Sequence, residues 1–166
     1  MGEGLGDVRV MLVDDNPHMR SIISTILTGV GVKQIREFED GSGALAALRD
    51  WSADIAFVDY QMAPMDGLEF TRLVRDPQTS AAPYLPIVMV TGKADRSSVA
   101  QARDSGVTEF IVKPVTARAV IDRFNAVLLK PRSFVRTETY FGPTRRRVKA
   151  TAGAPRRRAT DTPFEV

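Results

Sequence analysis

Val8-Arg9-Val10-Met11-Leu12-Val13-Asp14-Asp15-Asn16-Pro17 joins an apolar run to two adjacent carboxylates and a helix-starting dipeptide. The run reads as a strand buried on both faces of a sheet. Asn16 is a plausible helix cap and Pro17 suits a first helical position. Met19, Ile22, Ile23, Ile26, Leu27 and Val30 then follow at helical spacing.

This strand-then-helix unit repeats along the chain. Gln34–Phe38 reads as a second strand, followed by a helix carrying Ala44, Leu45, Leu48 and Trp51. Ile55-Ala56-Phe57-Val58 is the third strand, with a helix near Leu68–Arg75. Pro86-Ile87-Val88-Met89-Val90 is the fourth. Asp95 caps a helix that Gly106 stops near Ser105. Glu109–Val112 is the fifth strand, and Thr116 caps a last helix with Val120, Ile121, Phe124, Val127 and Leu128 on one stripe. Strands alternating with helices imply parallel pairing, right-handed crossovers and helices on both faces. The fold class is therefore α/β: a doubly wound, five-stranded parallel sheet with five helices. The Asp95–Ser105 helix has only Val99, Ala100 and Ala102 to bury, so its packing should be weak.

The chain has 166 residues and no cysteine, which excludes disulfides, thiolate metal sites and cysteine nucleophiles. Met1–Asp7 is Gly-rich and acidic, unlike an export signal, and no apolar run approaches the roughly 18 residues of a membrane span. A cytoplasmic location is expected. Residues 1–130 hold 14 Lys and Arg against 17 Asp and Glu, a net of −3; residues 131–166 hold 9 against 3, a net of +6. The basic character belongs to the tail, so it does not argue that the globular part binds nucleic acid. Three segments are expected: a flexible amino terminus over 1–7, a globular domain over 8–130, and a basic, Pro/Arg-rich, largely disordered tail over 131–166.

In an open parallel sheet, ligands bind outside the carboxyl ends of the strands. Asp14 and Asp15 end strand one, Asp59 strand three, Thr91 strand four and Lys113 strand five. Three carboxylates so close repel one another, and a hard divalent cation relieves that repulsion. Mg²⁺ fits, because it needs few protein ligands and keeps waters. The cation and Lys113 can neutralise a transferring phosphoryl group, with a carboxylate as nucleophile. Taken singly, Asp14-Asp15 could be a turn or cap, Thr91-Gly92 a plain turn, and Lys113-Pro114 an ordinary strand exit. It is their joint order along five strands that points to chemistry.

Leu12-Val13-Asp14-Asp15-Asn16, Val58-Asp59-Tyr60-Gln61-Met62, Met65-Asp66-Gly67, Val90-Thr91-Gly92 and Phe110-Ile111-Val112-Lys113-Pro114 together resemble the receiver domain of two-component response regulators, the CheY-like family, over about residues 8–129. The resemblance implies a flavodoxin-like sheet of strand order 2-1-3-4-5. It makes Asp59 the phosphoacceptor, with Asp15, Asp59 and the Gln61 backbone carbonyl as direct Mg²⁺ ligands and Asp14 acting through water. Thr91 and the Gly92 amide would grip the phosphoryl oxygens, Lys113 would pair with one of them, and Phe110 would be the switching aromatic. Gln61 and Lys93 fall where the family tunes dephosphorylation. Ala63 stands where the family usually has proline, and Pro64 follows it. His18, the one histidine, matches no functional position.

The resemblance also implies a response regulator that is not an enzyme for external substrates and catalyses only its own phosphorylation and dephosphorylation. Its donor would be a sensor histidine kinase or phosphotransfer protein. Its output would be a protein bound at the fourth helix, fifth strand and fifth helix. The 36 residues after Lys130 are too short for a DNA-binding output domain. Nucleic acid or membrane contact through the arginine clusters is the less favoured role for the tail. Rival readings are an aspartyl-phosphate hydrolase, for which the Asp14-Asp15 pair lacks the usual one-residue gap, and a receiver used as a constitutive interaction module.

Overall fold

In the computed structural model, which describes residues 4–144 and 162–164, the five expected strands and five expected helices are all present. They are β1 (Arg9–Val13), α1 (Pro17–Gly29), β2 (Gln34–Phe38), α2 (Gly41–Ala47), β3 (Ile55–Asp59), α3 (Gly67–Arg75), β4 (Ile87–Thr91), α4 (Arg96–Ser105), β5 (Glu109–Val112) and α5 (Ala117–Leu129). The sheet is parallel throughout, in the order β2-β1-β3-β4-β5. β3, which ends in Asp59, is the central strand.

The caps read from the sequence form as expected. Asn16 Oδ1 accepts the amides of His18 and Met19 at 2.9 and 3.4 Å. Asp95 Oδ2 accepts the Ser98 amide at 3.0 Å, and Thr116 Oγ1 accepts the Ala119 amide at 3.1 Å. Gly106 ends α4 with φ 105°, a left-handed conformation that glycine adopts without strain. α2 is shorter than its apolar residues suggest: it ends at Ala47, leaving Leu48 as its cap and Trp51 in the turn beyond.

Alternation along each strand divides the core between the two faces of the sheet. Val10 and Leu12 of β1 pack with Phe57, Ile23 and Leu27 of α1, and Phe124 of α5. Met11 and Val13 point the other way, toward Ala44, Phe70 and Val74. α4 lies over a smaller cluster of Leu68, Met89, Ala102 and Val107. Ala102 and Ser105 are its only buried residues, in keeping with its weak apolar face.

Both ends of the described chain pack on the domain. Leu5–Asp7 form a 3-10 turn, and Gln34 Nε2 donates to the Gly6 carbonyl at 3.3 Å. β6 (Phe134–Arg136) and β7 (Phe141–Pro143) form an antiparallel hairpin on the domain, and β8 (Thr162–Phe164) pairs with β6 on its other side. Phe134 and Val135 are buried, and burial of their apolar surface, together with ring contacts described below, offsets the cost of ordering the segment. The arginine clusters Arg145–Arg147 and Arg156–Arg158 lie outside the described residues. Among the described residues, no helix is long and apolar enough to cross a membrane.

Candidate functional site

The carboxyl ends of β1, β3, β4 and β5 bring Asp14, Asp15, Asp59, Thr91 and Lys113 to one edge of the sheet. One carboxylate oxygen from each of Asp14, Asp15 and Asp59 lies within 4.8 Å of the others. Asp14 and Asp59 are buried, at 4% and 5% exposure, whereas Asp15 is open to solvent. The cluster is thus a shallow acidic pit with one wall in water.

Asp14 is held by its local chain. The Asp14 amide donates to the Phe38 carbonyl at 3.0 Å, and its Oδ1 accepts the Asn16 amide at 2.8 Å. Arg20 of α1 donates to the Asp14 backbone carbonyl and pairs with Glu37 at 3.2 Å. Burial pushes the Asp14 carboxyl up to about 6; the Asn16 amide and Lys113 oppose that rise, and the charges of Asp59 and Asp15 add to it.

Asp59 Oδ1 faces the Lys113 ammonium at 3.0 Å. That oxygen is buried, and among the described residues no donor meets it in hydrogen-bond geometry. An ion pair with a misaligned, under-satisfied acceptor suits a group that can exchange partners. Lys113 is about one third exposed, so its head can move.

The loop after β3 returns tightly to the sheet. The Gly67 amide donates to the Tyr60 carbonyl at 2.9 Å. A Cβ at Gly67 would stand 2.5 Å from the Asp59 carbonyl oxygen, so only glycine fits there without a shift. Asp66 caps α3 by accepting the Glu69 amide at 2.8 Å. Gln61 is exposed beside Asp59, and the Ala63–Pro64 and Lys113–Pro114 peptides are both cis.

Thr91 is buried, but its hydroxyl is engaged locally. It accepts the Lys93 amide at 2.9 Å and lies 3.3 Å from the Lys93 carbonyl. Gly92 is exposed, with open space where a side chain would be. The Lys93 ammonium sits over the Tyr60 ring, 5.7 Å from its centroid. Phe110, half-buried on β5, packs against the small cluster under α4 together with Tyr60. His18 is exposed in the first turn of α1.

Asp14, Asp15, Asp59, Thr91 and Lys113 therefore share one sheet edge, while Phe110 on β5 packs against the small cluster under α4. Sequence reasoning missed two supports. Arg20 reaches the Asp14 carbonyl from the first turn of α1, and its charge alone gave no signal of this. Gly67 lies within the Met65-Asp66-Gly67 motif, but the sequence gives only an Asp-Gly pair opening a helix as a sign of its close approach to the Asp59 carbonyl.

Residues 10–125 match the family described as the response regulator receiver domain. The chain is 32% identical over 120 residues to the chemotaxis protein CheY of Pseudomonas aeruginosa, covering 72% of this chain and 95% of that protein. It is 29% identical to chemotaxis protein CheY-3 of Vibrio cholerae over 121 residues, 73% of this chain and 92% of that one. Among solved structures, CheY4 of Vibrio cholerae superposes with a TM-score of 0.67 at 27% identity, covering 73% of this chain and 98% of that one.

Proposed function

The chain belongs to the response-regulator receiver family of two-component signalling, and from that premise we propose that it is a switch thrown by phosphorylation of Asp59. The observation that carries this reading is the buried Asp59 carboxylate, under-satisfied at Oδ1 and facing Lys113 at 3.0 Å beside two further acids.

The donor set fits a magnesium ion. Asp15, Asp59 and the Gln61 backbone carbonyl would hold it directly, with Asp14 acting through water. Three carboxylate oxygens within 4.8 Å of one another, two of them on buried residues, concentrate negative charge that a hard cation relieves. When bound, the ion supplies neutralisation of the charge on the transferring phosphoryl group. Asp59 attacks phosphorus, the bond from phosphorus to the donor's nitrogen or oxygen breaks, and an acyl phosphate forms. Lys113 follows the new charge from the Asp59 carboxylate to a phosphoryl oxygen. Thr91 exchanges its bonds to Lys93 for a phosphoryl oxygen, and the exposed Gly92 amide donates to another.

The donor is a histidine kinase or phosphotransfer protein. Inward movement of Thr91 leaves space for Phe110, and the output partner binds the surface of α4, β5 and α5. The protein promotes only its own phosphorylation and dephosphorylation.

The test uses acetyl phosphate with Mg²⁺ as donor. The wild-type chain is expected to take one phosphoryl group, and Asp59→Asn none. Label that persists in Asp59→Asn, or forms equally without Mg²⁺, would remove this reading.

A further inference from the structure

The hairpin β6–β7 lies beyond the residues that match the receiver family, which end at 125. It is nonetheless built into the foot of the domain, at the amino ends of the strands. Phe134, Phe141 and Tyr84 form a three-ring cluster with centroids 5.1 to 5.8 Å apart. Beneath it lies Arg75, its guanidinium 4.9 Å from the Phe134 ring and its donors on the Gly106 and Pro83 carbonyls at 2.9 and 3.0 Å. Phe134 thus covers a buried cation that itself holds the residue ending α4.

Two further contacts reach the elements expected to move on phosphorylation. Gly142 meets Gly106 backbone to backbone: a Cβ on Gly142 would lie 3.3 Å from the Gly106 Cα. Arg132 Nη2 pairs at 3.3 Å with Glu109, the first residue of β5, and Arg123 of α5 joins the same carboxylate at 3.7 Å. Phe110 follows Glu109 directly, and it shares a cavity of about 190 Å³ with Arg132 and Tyr140 of the hairpin. The hairpin therefore touches the end of α4 and the start of β5, and borders the space beside Phe110.

We propose that the hairpin over residues 132–144 is an intramolecular brake: docked as seen here it holds α4, β5 and Phe110 in the unphosphorylated arrangement, and it loosens when Asp59 is phosphorylated. Its contacts complement the present position of Gly106 and Glu109, so displacement of α4 and β5 loses them. By linkage, whatever opposes the shift in one direction is opposed by it in the other. This inference rests on Asp59 being the phosphoacceptor.

The test has two arms, both on the full chain. Phe134→Ala uncovers Arg75, and Arg132→Gln breaks the Glu109 pair with a milder change. Neither residue belongs to the phosphorylation site. Labelling by acetyl phosphate follows the population of the released arrangement, so it should quicken in both, on the order of fivefold for a coupling at the low end of the usual range. In the second arm, beryllofluoride with Mg²⁺ is added to the wild-type chain, and amide hydrogen exchange in 132–144 should speed up. Unchanged or slower labelling, or hairpin exchange that stays fixed while the loops around Asp59 and Thr91 respond, overturns the brake but spares the phosphoacceptor. No response around Asp59 itself removes both.

Discussion

Asp14 carries the electrostatic cost of the site. Its carboxyl stands at about 6, above the ordinary 3.8, chiefly because it is buried. A carboxyl raised on folding takes up a proton between those values. Its contribution to stability is therefore full below about pH 4 and lost as pH rises through about 6. In metal-free protein, this group should lower unfolding stability between pH 5 and pH 7. Asp14→Asn should remove that step, and Mg²⁺ should bind more tightly as pH rises across the same window. Urea unfolding at the two pH values, with and without Mg²⁺, checks this. A metal-free step that persists in Asp14→Asn would assign it elsewhere. Gly67 makes the opposite kind of demand, for space rather than charge. Gly67→Ala places a Cβ against the Asp59 carbonyl oxygen, and such overpacking costs about 1–3 kcal/mol. The variant should be less stable to urea although alanine favours helix. Equal or greater stability would mean that the loop after β3 yields easily.

Among the elements, α4 offers little apolar surface to packing, with Ala102 and Ser105 as its only buried residues. Its amino end depends instead on Asp95, which accepts both the amide and the hydroxyl of Ser98 at 3.0 and 2.8 Å. Asp95→Ala should cost about 1 kcal/mol. The loss should appear mainly as faster amide exchange over residues 96–105, with little change around Phe57. Uniform acceleration throughout the chain would show that α4 opens only with the whole domain. Elements of this kind were legible in the sequence because their determinants are local. Asn16, Asp95 and Thr116 each bond within three residues, and apolar alternation marks the buried strands. The gathering of Asp14, Asp15, Asp59, Thr91 and Lys113 was legible one step further out, since strand–helix alternation fixes which strand ends share an edge. The hairpin was legible only in part: Ser133-Phe134-Val135 and Tyr140-Phe141-Gly142-Pro143 mix aromatics with arginine, which suits docking on a partner or folding back on the domain, but no pairing could be read. Its strands are three residues each, too short for a period, and Phe134 owes its burial to Arg75 and Tyr84, far away in sequence. Arg20 was hidden for the same reason: nothing local in the sequence tells which carbonyl an arginine will reach.

At the scale of the whole molecule, the sheet separates two packed layers. Ile23 belongs to the layer under α1 and α5, Ile87 to the layer under α2 and α3. Ile23→Val and Ile87→Val should each cost about 0.5–1.5 kcal/mol. The double variant should equal their sum within about 0.5 kcal/mol, as for sites without shared partners. A larger coupling in urea unfolding would show that strain crosses the sheet. The same architecture separates the two ends of the strands. Asp59, Thr91 and Lys113 open at one end, while Tyr84, Gly106 and Glu109 receive the hairpin at the other. The proposed phosphoacceptor and residues 132–144 thus lie at opposite ends of the strands. Steric shielding and conformational restraint then make different kinetic signatures. A shield would slow a bulky kinase far more than acetyl phosphate, whereas a restraint applied from the far end taxes both donors by the same factor. The ratio of the two rates should be indifferent to Arg132→Gln even where each rate changes.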